Sequence, residues 1–132
     1  MCIFCDIIEG KIPSATIYED DKVKAFLDIS QVTKGHTLVV PKKHFDNFLE
    51  CDDETTSHVM KVAKMLGNHI LKETEANGMN ILTNVHEVAG QSVMHCHIHL
   101  IPRYSEQDAL KLEFQESEKQ DLDALCAQLQ YK

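Results

Sequence analysis

Three histidines occupy alternate positions in one short apolar run: His95, His97 and His99 within Val93–Pro102. A β-strand repeats every two residues. The spacing therefore predicts three imidazoles on one strand face, roughly 6–7 Å apart, with Cys96, Ile98 and Leu100 on the other. Imidazole titrates near neutral pH, so such a row suits either metal binding or nucleophilic and acid–base chemistry. Two strand histidines at i and i+2 plus a third ligand can build a tetrahedral catalytic zinc site. The outer two of three would stand roughly 13 Å apart, too far to share one ion on a straight strand. The other arrangement divides the labour: the middle imidazole attacks, and its neighbours orient it or stabilise charge. Gly90-Gln91-Ser92, just upstream, supplies a glycine turn whose backbone N–H groups and serine hydroxyl can meet developing negative charge on phosphorus.

A second metal-ligand spacing stands near the start of the chain. Cys2-Ile3-Phe4-Cys5 is a Cys-x-x-Cys pair, which can chelate one zinc from a tight turn. A thioredoxin-like redox pair follows a strand and opens a helix, and only Met1 precedes this one. Half a zinc site needs two more ligands.

The elements that must hold these groups follow from the hydrophobic pattern. Ala15–Glu19 and Val23–Asp28 read as strands of a hairpin turning at Asp20-Asp21. Gly35 opens His36–Val40, an apolar β-branched run stopped by Pro41. From Asp53 to Ala76, Val59, Val62, Ala63, Leu66, Ile70 and Leu71 recur at spacings of three and four, which predicts a long helix ended by Asn77-Gly78. Met79–Thr83 reads as a strand, followed by a loop and the histidine strand. Ser117-Glu118-Lys119-Gln120 resembles a capping box before Leu122, Leu125, Cys126 and Leu129, a second, shorter helix expected to dock its apolar stripe. His58 and His69 are expected on the solvated face of the long helix, and Cys51, Cys96 and Cys126 as small apolar fillers. The fold class is α+β: an antiparallel sheet of about five strands, one long helix and a shorter C-terminal helix. Residues 1–132 form a single domain, with 104–132 a variable tail.

Composition narrows the function. Thirteen basic and 21 acidic side chains leave a net charge of −8, which argues against nucleic-acid or anionic-membrane binding. A small phosphorylated ligand remains compatible, because amide N–H groups and imidazoles can hold an anion locally. No run approaches the ~18 apolar residues of a membrane span, and no secretory signal is read. Five cysteines without an export signal read as reduced thiols, so a cytoplasmic location is expected.

His95-Cys96-His97-Ile98-His99-Leu100-Ile101 resembles the His-x-His-x-His-x-x signature of the histidine triad (HIT) superfamily. Phe26-Leu27-Asp28-Ile29, Gly35-His36-Thr37-Leu38-Val39-Val40-Pro41-Lys42-Lys43-His44 and Gly90-Gln91-Ser92 stand in that superfamily's order, and the likeness is greatest to its bacterial Hint-like branch. It runs from about Cys2 to Arg103. The resemblance implies a nucleotide hydrolase or transferase acting at the α-phosphorus of nucleoside monophosphate conjugates, of the purine nucleoside phosphoramidate type. His97 would be the nucleophile and form a covalent nucleotidyl intermediate. His99 would stabilise phosphoryl charge, Ser92 would assist the leaving group, and His36 would support the triad. A pocket for an AMP-like purine nucleotide is implied at Phe4, Phe26, Asp28, Ile29, Asn84, Gly90, Gln91, Ser92, His97 and His99. Some members carry a structural zinc at positions matching Cys2, Cys5, His44 and His95, and the family forms homodimers through the long helix and an adjoining strand. Two rival readings remain: a nucleotide-binding or partner-binding protein with incidental slow hydrolysis, and a metalloenzyme with zinc on the triad.

Overall fold

The computed structural model describes residues 2–131. Five strands form one antiparallel sheet: β1 (Thr16–Glu19), β2 (Val23–Leu27), β3 (Thr37–Pro41), β4 (Gly78–Leu82) and β5 (Ile98–Arg103), in the spatial order β1-β2-β3-β5-β4. A short helix α1 (Ile3–Ile8) precedes the sheet, α2 (Asp53–Thr74) joins β3 to β4, and α3 (Leu122–Leu129) closes the described chain. This is the α+β class, strand count and pair of helices expected.

Alternation along the three central strands divides the apolar residues between two faces. Val23, Ala25, Val39, Ile98 and Leu100 form one core with Val59, Val62, Ala63, Leu66 and Ile70 of α2. The spacing of three and four along α2 gives it a single apolar stripe. Its first turn is capped by Asp52, whose carboxylate accepts from Thr55 N at 2.8 Å. The last turn ends at Thr74 with Glu75 in the left-handed region, φ 57°, so the stop comes before the expected Asn77-Gly78. Each buried Val, Leu and Ile of this core contributes roughly 1.5–3 kcal/mol by leaving water.

The opposite face carries Phe26, Leu38 and Val40, covered by Phe4 and Ile7 of α1. The sequence reading took the Cys2–Cys5 stretch for a tight turn, and here it is helix. Cys2 serves as the N-cap, its sulfur accepting from Cys5 N at 3.3 Å, and six residues are too few to show a helical period. Register places Phe26 opposite Leu38 and Leu38 opposite His99, a row across three strands on this face.

Four further expectations are corrected. The histidine run is not one strand: pairing begins at Ile98, opposite Val39, and His95 and His97 lie before it. Pro41 has no N–H with which to carry the ladder further, and Cys96 N turns instead to Phe45 O at 2.7 Å. The tail helix forms but does not dock: Leu122 and Leu129 are about three-quarters exposed and Cys126 is exposed, not a filler. His58 is no free surface residue, because its Nε2 meets Asp20 Oδ2 at 2.8 Å and ties α2 to the β1–β2 turn. That carboxylate also accepts from Tyr18, Lys22 N and Val23 N. These bonds outweigh its burial and hold Asp20 down at about 2.

Candidate functional site

On the α1 face, His97 and His99 stand with ring centroids 4.9 Å apart. The Phe4 ring meets His97 edge-on at 5.0 Å and Phe26 at 5.6 Å. His36 and His97 are buried, His99 half-buried.

The bonding partners fix which nitrogen of each ring carries the proton. His97 Nδ1 lies 2.7 Å from the main-chain oxygen of His95. A carbonyl can only accept, so Nδ1 is the N–H and the neutral ring keeps its lone pair on Nε2. Val32 N donates to His36 Nδ1 at 3.4 Å, which puts the His36 proton on Nε2, 3.0 Å from His99 Nδ1. His99 accepts there and therefore presents Nε2–H outward. Burial favours the uncharged form throughout: it pushes His97 and His36 below the ordinary histidine value and His99 down to about 4, against the opposing pull of the Asp28 carboxylate. One imidazole with a free lone pair thus stands beside one with a free N–H, the pairing needed to attack phosphorus and hold its oxygens.

A cleft of about 830 Å³ is lined by Phe4, Phe26, Asp28 and Ile29, with Leu38 and Val93; none of the histidines lines it, and Phe4 is the wall between it and the His97 ring. Ile29 is fully exposed at the rim, whereas Phe4 and Phe26 are buried walls. Asp28 Oδ1 accepts from Ser30 N at 2.8 Å, and its Oδ2 lies 3.7 Å from His36 Nε2. The loop after β4 brings Asn84 against Gly90, Asn84 Nδ2 donating to Gly90 O at 3.4 Å. Gly90 has φ 103°, a conformation that side-chain-bearing residues rarely adopt, so the backbone calls for glycine although a Cβ would make only ordinary contact with the Asn84 amide. Ser92 is exposed. Gln91 is buried with its side chain fully engaged: it donates to Asp46 O and Val93 O at 2.9 Å for the latter, and accepts from His86 N at 2.8 Å. Its contribution is to brace this loop.

The fourth expected group is also assembled, on the far side of Phe4. Cys2 Sγ, Cys5 Sγ, His44 Nδ1 and His95 Nδ1 all lie within 4.8 Å of one another. Among them, Cys2 to His95 is 3.3 Å, Cys5 to His44 3.4 Å, Cys5 to His95 3.5 Å and His44 to His95 3.1 Å. Zinc bonds to nitrogen and sulfur imply tetrahedral edges of about 3.3–3.8 Å, close to these separations. Tautomers agree. His95 Nε2 donates to Pro41 O at 2.8 Å and His44 Nε2 meets Asp46 Oδ1 at 2.8 Å, so both Nδ1 lone pairs face inward. Two facing lone pairs repel unless a proton or a cation lies between them. Burial and the neighbouring Cys2 push the Cys5 thiol up to about 11, and a metal would have to displace that proton. The donor set fits zinc.

His95 therefore parts from the other two histidines, and the reason is the bend at Cys96 rather than anything visible in the alternation. Sequence reasoning missed Asp46, although a carboxylate close to a candidate ligand histidine is the kind of group that orients such a ring. Asp28, His36 and His99 also converge within 4.8 Å. The His36 proton occupies that space, and a cation there would require Nδ1–H to oppose Val32 N–H.

Comparison with known proteins gives a consistent picture. A family model described as the HIT domain matches residues 9–106. The chain is 54% identical over 107 residues to Protein hit of Bacillus subtilis, covering 81% of this chain and 74% of that protein. It is 37% identical over 109 residues to an adenylylsulfatase, HINT3, of Arabidopsis thaliana, covering 83% of this chain but only 55% of that longer protein. The crystal structure of a histidine triad nucleotide-binding protein from Candida albicans superposes with a TM-score of 0.85 at 37% identity, covering 97% of this chain and 92% of that one.

Proposed function

The chain belongs to the HIT domain family, and from that membership we propose that it cleaves nucleoside monophosphate conjugates at the α-phosphorus through a nucleotidyl intermediate on His97. The observation that carries this is the free Nε2 lone pair of His97, left outward by the Nδ1–H bond to His95 O at 2.7 Å. In the first step Nε2 attacks phosphorus, the bond to the leaving group breaks, and the departing nitrogen or oxygen takes a proton from Ser92 or water. In the second, water adds to phosphorus and the P–N bond breaks. The water's protons pass to the released monophosphate and the solvent, and His97 returns neutral. Splitting one displacement into two is the gain of covalent catalysis. The Nε2–H of His99 meets the charge on the phosphoryl oxygens. The N–H groups of Ala89, Gly90 and Gln91, expected to share that task, are instead bonded within their own turn to His86 O and Glu87 O at 2.9–3.1 Å.

The substrate class is a purine nucleotide conjugate of AMP type. The base lies between Phe4, Phe26 and Ile29, the ribose hydroxyls donate to Asp28, and the phosphoryl group rests near Asn84, Gly90, Gln91 and Ser92. The name of the Arabidopsis relative, an adenylylsulfatase, supports chemistry at the phosphorus of an adenylyl conjugate. Cys2, Cys5, His44 and His95 hold a structural zinc that pins α1, and with it Phe4, against the sheet. His36 steadies His99. The protein acts in the cytoplasm as a homodimer. Support for the dimer comes from the edge position of β4, where exposed Ile81 lines one surface groove with Met60 of α2. Among the described residues no helix is long and apolar enough to cross a membrane.

The test is direct. Protein mixed with adenosine phosphoramidate is quenched in alkaline denaturant, which preserves P–N bonds, and digested for mass spectrometry. An adenylyl group on the peptide carrying His97 is the expected result. Binding of AMP with no adduct and no turnover would favour a binding protein with incidental hydrolysis, and overturn this reading.

A further inference from the structure

Asp28 stands at an unusual junction for a residue whose proposed partner is ribose. The β2–β3 register brings it beside His36, with Asp28 N donating to His36 O at 3.0 Å. The connecting loop is stiff: Gln31 Nε2 donates to the main-chain oxygens of both Asp28 and His36, at 2.6 and 2.7 Å, and its Oε1 accepts from Gly35 N at 2.8 Å. One carboxylate oxygen is taken by Ser30 N. The other, Oδ2, faces His36 Nε2 at 3.7 Å, and His36 in turn meets His99 Nδ1 at 3.0 Å, all three groups lying within 4.8 Å. The same negative charge opposes the effect of burial at His36 and His99.

We propose that Asp28 is also a positioning residue for the chemical step: through His36 its carboxylate keeps His99 in the form that donates from Nε2, and balances the positive charge that grows on the imidazoles as phosphorus bonds to His97. This rests on the α-phosphoryl reading above and deepens it. Neutral His97 becomes an N-phosphoryl imidazolium when its lone pair is spent, while its Nδ1–H stays on His95 O. A fixed carboxylate clustered with His36 and His99, whose ring lies 4.9 Å from that of His97, offsets that charge. Ribose binding alone needs only an acceptor. Charge balance needs a full negative charge, and this difference separates the two roles.

The experiment compares adenosine phosphoramidate with its 2′,3′-dideoxy analogue on the wild type and on Asp28→Asn, a variant that keeps shape and acceptor but loses the charge. The expected result is a fall in kcat of about 10- to 100-fold on both compounds, with KM for the dideoxy analogue moving less than about threefold. If the substitution affects the ribose compound alone, Asp28 only binds ribose and the proposal fails. His36→Gln, which severs the link and spares Asp28, should reproduce the kcat loss, and the double variant should lose little more. Additive losses would overturn the proposal. It also has a readout independent of turnover and of substitutions that impair folding: imidazole ¹⁵N shifts of the wild type should show His99 as a single Nε2–H tautomer. A His99 ring that carries its proton on Nδ1 overturns the inference even in an active enzyme. A wild type inert toward both compounds overturns the proposed function, while the His99 tautomer still decides the present point.

Discussion

His97 Nδ1 donates to the main-chain oxygen of His95 at 2.7 Å, while the side chain of His95 points its own Nδ1 at two thiols and His44. One residue thus touches both sites, by its carbonyl on one side and its ring on the other. If His97 is the attacking group, His97→Ala should lower turnover by at least about a thousandfold, as loss of a covalent nucleophile does. Nucleotide affinity, read by calorimetry, should change little, because the cleft walls Phe4, Phe26 and Asp28 remain.

Metal content should follow the thiols and not the nucleophile. Cys2→Ser should lose bound zinc on elemental analysis of purified protein, and His97→Ala should keep it at one per chain. Removing zinc from the wild type with a chelator should lower the melting temperature by several degrees, since the ion binds the folded cluster far better than the unfolded chain. Zinc retained by Cys2→Ser would sink the assignment of those four ligands.

The site should also make the fold sensitive to mild acid. His99 titrates at about 4 when folded and near 6.5 when unfolded, so between those values the unfolded chain binds more protons. The corresponding stability is present above about pH 6.5 and falls away as pH drops toward 4, on the order of 2 kcal/mol once solvent screening of a partly exposed ring is allowed for. Urea unfolding of the wild type and His99→Asn at pH 7.5 and pH 5 measures it. The wild type should lose more on acidification than the variant.

The loop after β4 depends on Gly90. With φ at 103°, Gly90→Ala should cost about 1–2 kcal/mol locally and displace the turn. Turnover should fall about tenfold with the melting temperature moved by only a few degrees, because no core residue of either sheet face is involved. Unchanged kinetics would mean that this turn does not meet the phosphoryl group.

Assembly is tested at the sheet edge. Ile81 on β4 is 52% exposed, and Ile81→Glu should convert a dimer to monomers in sedimentation experiments if that edge and α2 form the contact.

Much of this was legible beforehand. Period-two runs located β2, β3 and β4 to within a residue or two, and the three-four spacing located α2, because each pattern repeats enough times to outweigh accident. His97 and His99, the cleft walls, and the two thiols and two imidazoles of the candidate metal site were named from residue type and resemblance, and the fold places the last four donor atoms within 4.8 Å of one another. What escaped was set by single long-range events. The histidine run breaks at His97 because Cys96 N finds Phe45 O, fifty-one positions upstream, once Pro41 cannot pair. Helix α1 escaped because its stabilising contacts, Phe4 and Ile7 on Phe26 and Leu38, belong to the tertiary core. The tail helix repeats its apolar residues as a docked helix would, and periodicity says nothing about whether a partner surface exists.

Strand alternation has a broader consequence. Ile98 and Leu100 anchor the long helix, while their neighbour His99 and the facing Leu38 belong to the opposite side with the reacting groups. Neighbours in the chain are thereby assigned to unrelated tasks. Substitutions at Val39, Ile98 and Leu100 should loosen the long helix, those at Leu38 and Val40 should loosen the short amino-terminal one, and half-buried His99 should lose least soluble protein. One sheet thus carries two separate covers, and each fails independently of the other.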